Sequence, residues 1–425
     1  MYLKASLLIS ALAVASKADD FLNGEPNKHG LVDIPKGNDM FYWLFPSRRD
    51  AEKDPLVLWL TGGPGCASEL ATFYENGPVW IKDDMSFERN QLSWNNHANV
   101  LYVDNPIGTG YSKIAGWDYD QNEDQISKQM HTFLLGFLEQ NPEYKGREFY
   151  ITGESYAGHY IPSISYYLVF NQTDVELNFK GSAIGNGWVD PYDQYPQYAE
   201  FAYDNHLINT TDYLMLTAAF GVCQSLIDSK SYFYAMELCQ LSVEYVLGYP
   251  WAPAFNVYDI RIPCAEPPLC YNMTAATVFL NRDDVREKLG VPGREWEQCA
   301  WDVHTAMLGD WIVNMKSKVG AILDAGLDVL VYSGDKDYVC NWYGGRSWTA
   351  KTDWKGKEEF NAAEFKEWSV DGEAAGQLRS HENFKFLRVY NAGHMVPKDQ
   401  PKNAVAMLEA FILNAEEKKY ENILE

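Results

Sequence analysis

With 425 residues, 46% of them hydrophobic, the chain exceeds what a single hydrophobic core usually organises, so one large domain carrying an insertion is expected. Its 28 Tyr, 20 Phe and 14 Trp exclude a disordered segment, and no window recurs at the fixed period of a repeat protein. The 59 acidic against 35 basic residues, a formal charge of −24, exclude nucleic acid as a partner and repel anionic membranes; partial protonation in an acidic lumen would relieve the self-repulsion.

The first residues, MYLKASLLISALAVASKADD, put Lys4 before a short apolar run ending in small residues at Ala13, Ala15 and Ala18. That layout predicts a secretory signal peptide over residues 1–18. No later stretch is apolar enough to span a bilayer as a helix, and the tail NAEEKKYENILE carries no anchor or retention signal, so no membrane anchor is expected. The route predicted is the secretory pathway, ending outside the cell or in the lumen of a lysosome or vacuole. Sequons at Asn171, Asn209 and Asn272 agree with that route as expected glycosylation sites. Seven cysteines fit an oxidising compartment in which six pair and one stays free.

Further along, apolar runs end in turns of glycine or polar residues: PLVLWLTGGPG (55–65), NVLYVDNPIGTG (99–110), REFYITGES (147–155), KGSAIGNGW (180–188), LDVLVYSGDKD (327–337) and FKFLRVYNAGH (384–394). Continuous apolar character predicts strands buried on both faces. Helical patterns lie between them, at 125–140 and 311–326. This alternation predicts an α/β fold with a mostly parallel central sheet flanked by helices. From about 191 to 300 the rhythm fails, and helical patches rich in Tyr, Pro and Cys predict an insertion or cap. The domains expected are therefore a core of 19–190 and 301–425 with a cap of 191–300. Ligands of such sheets bind beyond the carboxyl ends of the strands, where these turns lie.

The turn ITGESYAGHY (151–160) places Ser155 between Gly153 and Ala157, the small residues that a sharp strand-to-helix turn demands. A serine hydroxyl needs a base to take its proton and a third group to orient that base. In this fold their order is Ser, acid, His, and among eight histidines only His381 and His394 follow the LDVLVYSGDKD strand. His394 lies in a glycine turn after a strand and His381 in a charged stretch before it, so His394 is the expected base. Asp335 and Asp337 both follow VLVYSG, and spacing does not separate them. The turn TGGPG (61–65) offers amides of Gly62, Gly63 or Gly65 to an oxyanion, joined by that of Tyr156.

In their order, LWLTGGPGC, VDNPIGTGYS, GESYAGHYIP, YSGDKDYVCNW and GHMVP resemble the serine carboxypeptidases over residues 30–412. The resemblance implies an α/β-hydrolase fold and removal of single residues from peptide C-termini at acid pH, with no cofactor and no metal. It implies Ser155 as nucleophile, Asp337 as orienter, His394 as base, and Gly63 and Tyr156 as oxyanion donors. Glu75 and Glu154 fall where the family places a carboxyl pair that grips the substrate's terminal carboxylate. Trp59, Thr61, Gly62, Trp311 and Val339 fall among substrate-binding positions. Cys340 corresponds to a free cysteine lining the leaving-residue pocket opposite Met395, and that apolar residue implies a hydrophobic leaving residue. Implied disulfides are Cys66–Cys299, Cys223–Cys239 and Cys264–Cys270. The partners implied are peptides or proteins with a free C-terminus, and the protein would be a monomer or homodimer. Thr61 departs from the family's Asn, so an acyltransferase of the same family is the first alternative. A non-catalytic secreted binding or chaperone protein is the second.

Overall fold

A computed structural model describes residues 21–248, 255–265 and 269–413; the expected signal peptide lies outside the described residues. The strands are β1 (Lys28–Ile34), β2 (Asn38–Phe45), β3 (Leu56–Leu60), β4 (Val79–Ile81), β5 (Phe87–Arg89), β6 (Asn99–Val103), β7 (Glu148–Ser155), β8 (Asn178–Gly187), β9 (Asp328–Gly334), β10 (Lys366–Val370), β11 (Glu373–His381) and β12 (Phe384–Val389). Ten of them form one sheet in the order β1-β2-β6-β3-β7-β8-β9-β12-β11-β10, with β4 and β5 paired apart.

The six central strands, β6 to β12 in that order, are mutually parallel, and the pairs at either edge are antiparallel. These six are the six apolar runs read from the sequence. Every residue of β3 is buried: Leu56, Leu58 and Leu60 enter the core on one face, and Val57 and Trp59 that on the other. Strict alternation between two buried faces is what makes the run continuously apolar.

Helices cover both faces. On one, α2 (Glu123–Gln140; short helix α1, Glu69–Tyr74, lies on the other) starts where Asn122 Oδ1 accepts the Gln125 amide at 3.1 Å, and buries Ile126, Met130, Phe133, Leu134 and Phe137. This spacing is a single helical stripe. The helix expected over 311–326 occupies Lys316–Asp324, because Asn314 Oδ1 accepts the Lys316 amide and the residues before it turn back, Val313 N to Asp310 O.

Between β8 and β9 the described chain is helical, dominated by Thr210–Asp228 and Tyr232–Leu247, which Cys223–Cys239 links. Disulfides Cys66–Cys299 and Cys264–Cys270 complete the set, and Cys340 is free and buried. Disulfide bonds fit a route through an oxidising compartment. Among the described residues no helix is long and apolar enough to cross a membrane.

Candidate active site

The carboxyl ends of the central strands open on a cavity of about 480 Å³. Ser155 ends β7 with φ 64°, a left-handed backbone that turns its side chain out of the strand before α3 (Ala157–Tyr166) begins. The turn is tight: a Cβ on Gly153 would lie 2.1 Å from the Leu60 carbonyl oxygen, and one on Gly62 would lie 2.4 Å from the Tyr156 amide nitrogen. Glycine is thus required where the β3 turn meets the nucleophile turn, and Gly62, Gly63, Ser155 and Tyr156 all border the cavity.

His394 enters from the turn after β12, its amide donating to the Tyr258 carbonyl at 2.7 Å. Its Nδ1 lies 2.8 Å from Asp337 Oδ2, and both side chains are buried. The two aspartates that spacing left equivalent differ in use. Asp335 accepts the Asn391 amide at 2.9 Å and pairs with Arg388 at 3.4 Å, which consumes it in the turn. Asp337 Oδ2 instead accepts from His394, from Asn186 Nδ2 at 2.8 Å and from the Cys340 amide at 3.2 Å. Asn186 was not singled out from the sequence. His381 closes β11 beside Trp354, away from this cavity.

Glu154 precedes the nucleophile and hydrogen-bonds Glu75, the C-cap of α1; both are buried, and each keeps one carboxyl oxygen without a partner. Burial first, then their mutual repulsion, raises Glu154 well above the ordinary carboxyl range, and burial raises Glu75. The pair therefore retains a proton where an exposed glutamate would have lost it. A second buried pair, Glu69 with Asp104, was also not singled out; burial raises both, Asp104 accepting the Ser68 and Tyr111 amides and Glu69 the Trp296 indole.

Thr61, Trp311, Val339, Cys340 and Met395 line the cavity. Trp59 and Glu75 stand behind the wall. Trp59 is fully buried and reaches the site only through its indole, which donates to Thr61 Oγ1 at 3.0 Å. With that lone pair engaged, the Thr61 hydroxyl proton is left to point elsewhere. Burial raises the Cys340 thiol well above its usual value, so it packs as a neutral group. Val243 and Leu247 of the 232–247 helix add an apolar wall that the sequence did not announce. The Cys66–Cys299 bridge, with Ala300 N to Gly65 O at 2.7 Å, ties the TGGPG turn to the segment after 298.

Asp337, Cys340 and His394 offer donor atoms all within 4.8 Å of one another. His394 Nδ1 is already committed to Asp337, so this cluster fits an imidazole–carboxylate pair.

A family model described as serine carboxypeptidase matches residues 21–414. "Serine carboxypeptidase-like 47" of Arabidopsis thaliana is 39% identical over 395 residues, which is 90% of this chain and 77% of that one. "Serine carboxypeptidase S10 family member 1" of Dictyostelium discoideum is 39% identical over 413 residues, 96% of this chain and 99% of that one. Among solved structures, Kex1Δp, a prohormone-processing carboxypeptidase from Saccharomyces cerevisiae, superposes with a TM-score of 0.81 at 26% identity over 91% of each chain. An α/β-hydrolase sheet, a serine on its strand-to-helix turn and these relatives together place the chain in the serine carboxypeptidase family, as a hydrolase of the exopeptidase type.

Proposed function

We propose that the protein releases single C-terminal residues, preferentially hydrophobic ones, from peptides at acid pH. Ser155 Oγ attacks the scissile carbonyl while His394 takes its proton. Asp337 holds the imidazole in the required tautomer and stabilises its charged form. The amides of Gly63 and Tyr156 receive the oxyanion. His394 then returns the proton to the leaving amine, and water, activated by the same imidazole, splits the acyl-enzyme. The core of 19–190 and 301–425 supplies these groups, and the 191–300 cap supplies part of the pocket wall.

The observation that carries this reading is the Glu75–Glu154 pair beside the nucleophile. A peptide's terminal carboxylate is a hydrogen-bond acceptor only, and a carboxyl pair protonated on both members, one proton lying in the Glu75–Glu154 bond, offers it a donor without a competing charge. Thr61 adds a hydroxyl. Loss of one proton as pH rises toward about 7 leaves the pair with a negative charge that repels the terminal carboxylate, which supplies a physical reason for an acid optimum. Cys340 and Met395 give the leaving residue an apolar berth.

The three sequon asparagines are exposed, which supports glycosylation and a lumenal or extracellular destination. Thr61 in place of Asn favours one rival, transfer of an acyl group from a non-peptide donor by the same triad. Reaction with a serine-directed phosphonate, abolished in Ser155→Ala, tests the nucleophile for both; failure of the folded protein to react would contradict both.

A further inference from the structure

We infer that Asp310 is a positioning residue for the oxyanion site, acting through the side chain of Tyr156. The inference rests on the function proposed above. Tyr156 carries the amide assigned to the oxyanion, and its phenol is held by four residues. Its hydroxyl donates to Asp310 Oδ2 at 3.2 Å. One ring face lies against His159 (centroids 4.7 Å, 19° between planes) and Trp311 stacks at 5.4 Å and 27°, with Tyr160 edge-on at 5.4 Å. A ring fixed at its tip and across its faces leaves its own Cα, and so its own amide, little freedom. An amide displaced by a fraction of an ångström loses much of its transition-state stabilisation.

The anchor is itself secured. Asp310 is buried, its carbonyl accepts the Val313 amide at 2.9 Å, the Trp311 carbonyl accepts the Trp188 indole at 3.0 Å, and the Met315 amide donates to Val189 O at 2.9 Å. The 310–315 turn is thereby docked on the chain leaving β8. The charged neighbours are Glu123, both of whose carboxyl oxygens lack a partner, and Lys318, bound to Ser163 and paired with Asp124. Burial pushes the phenol far above its ordinary range, so Tyr156 keeps its hydroxyl proton and donates it to the ionised Asp310 carboxylate. Trp311 also lines the cavity, so one two-residue segment touches both the pocket and the oxyanion residue.

The test compares two N-blocked dipeptide ligands: an aldehyde, whose hemiacetal oxygen takes the oxyanion position, and the matching alcohol, which forms no adduct. Asp310→Ala and Tyr156→Phe are each expected to cut the aldehyde-to-alcohol affinity ratio and kcat about 10-fold, with KM changed less than about two-fold. The double variant should be no worse than either single one, and Asp310→Asn, which keeps an acceptor, should recover most of the loss. An unchanged ratio in Tyr156→Phe, which removes only a hydroxyl and keeps the ring packed, would overturn the inference even where Asp310→Ala fails to fold. So would multiplicative losses in the double variant. A wild-type ratio near one would overturn the serine mechanism and this inference together.

Discussion

Asn186 donates from Nδ2 to Oδ2 of Asp337 at 2.8 Å, while its own Oδ1 accepts the Gly334 amide at 3.1 Å. One amide side chain thus clips the end of β8 to the strand that delivers the carboxylate, and fixes which oxygen faces the imidazole. Removing it leaves a buried carboxylate short of a donor, a loss of about 1–3 kcal/mol. Asn186→Ala is expected to lower kcat about 10-fold or more with KM little changed, read from steady-state kinetics. A fall confined to KM would contradict this.

Ser155 sits at φ 64°, a conformation that costs a non-glycine residue about 1–2 kcal/mol. Ser155→Ala keeps that strain and should abolish turnover with nearly unchanged Tm. Ser155→Gly should be equally inactive yet more stable than Ser155→Ala by up to about 1 kcal/mol, less the entropy glycine adds to the unfolded chain. Retained turnover in either variant would refute the nucleophile.

Burial raises Glu75 to about 7, Asp120 to about 7 and Asp310 to about 6, and it raises Glu69, Asp104 and Glu154 as well. The folded state therefore holds more protons than the unfolded chain between the ordinary carboxyl range and about pH 7. Stability is complete below that range and falls as pH rises through the folded values. A shift from 4.5 to about 7 is worth about 3 kcal/mol for one group. Thermal melts should show Tm lower by about 5 °C or more at about pH 8 than at about pH 5. A Tm that rises over that interval would contradict the buried-proton account.

Glutamine at position 154 offers an amide donor that no base removes. Glu154→Gln should therefore flatten the fall of kcat/KM toward about pH 7, and an unaltered profile would count against the carboxyl pair. Thr61→Val, which keeps the shape but loses the hydroxyl, should raise KM about 10-fold for a free C-terminus, the value of roughly one hydrogen bond to a charged group. Cleavage of an amidated peptide should hardly change. Equal effects on both would remove Thr61 from carboxylate recognition.

Much of this was legible in the sequence because the central strands are buried on both faces and end at the working turns. The edges were harder. β1, KHGLVDI, and β11, EAAGQLRSH, each have one less demanding face and give no clean apolar run. β2, NDMFYWLF, is as apolar as the central strands but no glycine turn follows it. Within the site, spacing left Asp335 and Asp337 equivalent; what separates them is which oxygens Asn391 and Arg388 have already taken. Asn186 and Asp310 act across 151 and 154 residues of chain, and nothing local marks either. Trp59 and Glu75, both among the expected substrate positions, lie behind the cavity wall and hydrogen-bond to Thr61 and Glu154, which line it.

The central claim is that a protonated carboxyl pair beside Ser155 reads the end of a peptide. N-blocked peptides with free or amidated C-termini, incubated with the protein at about pH 4.5 and about pH 7 and followed by mass spectrometry, test it most directly. The account predicts stepwise loss of single C-terminal residues, faster at the lower pH and faster for the free carboxylate. Intact peptides under every condition, with Ser155 still reactive toward a phosphonate, would contradict it and turn the same triad toward another acyl donor.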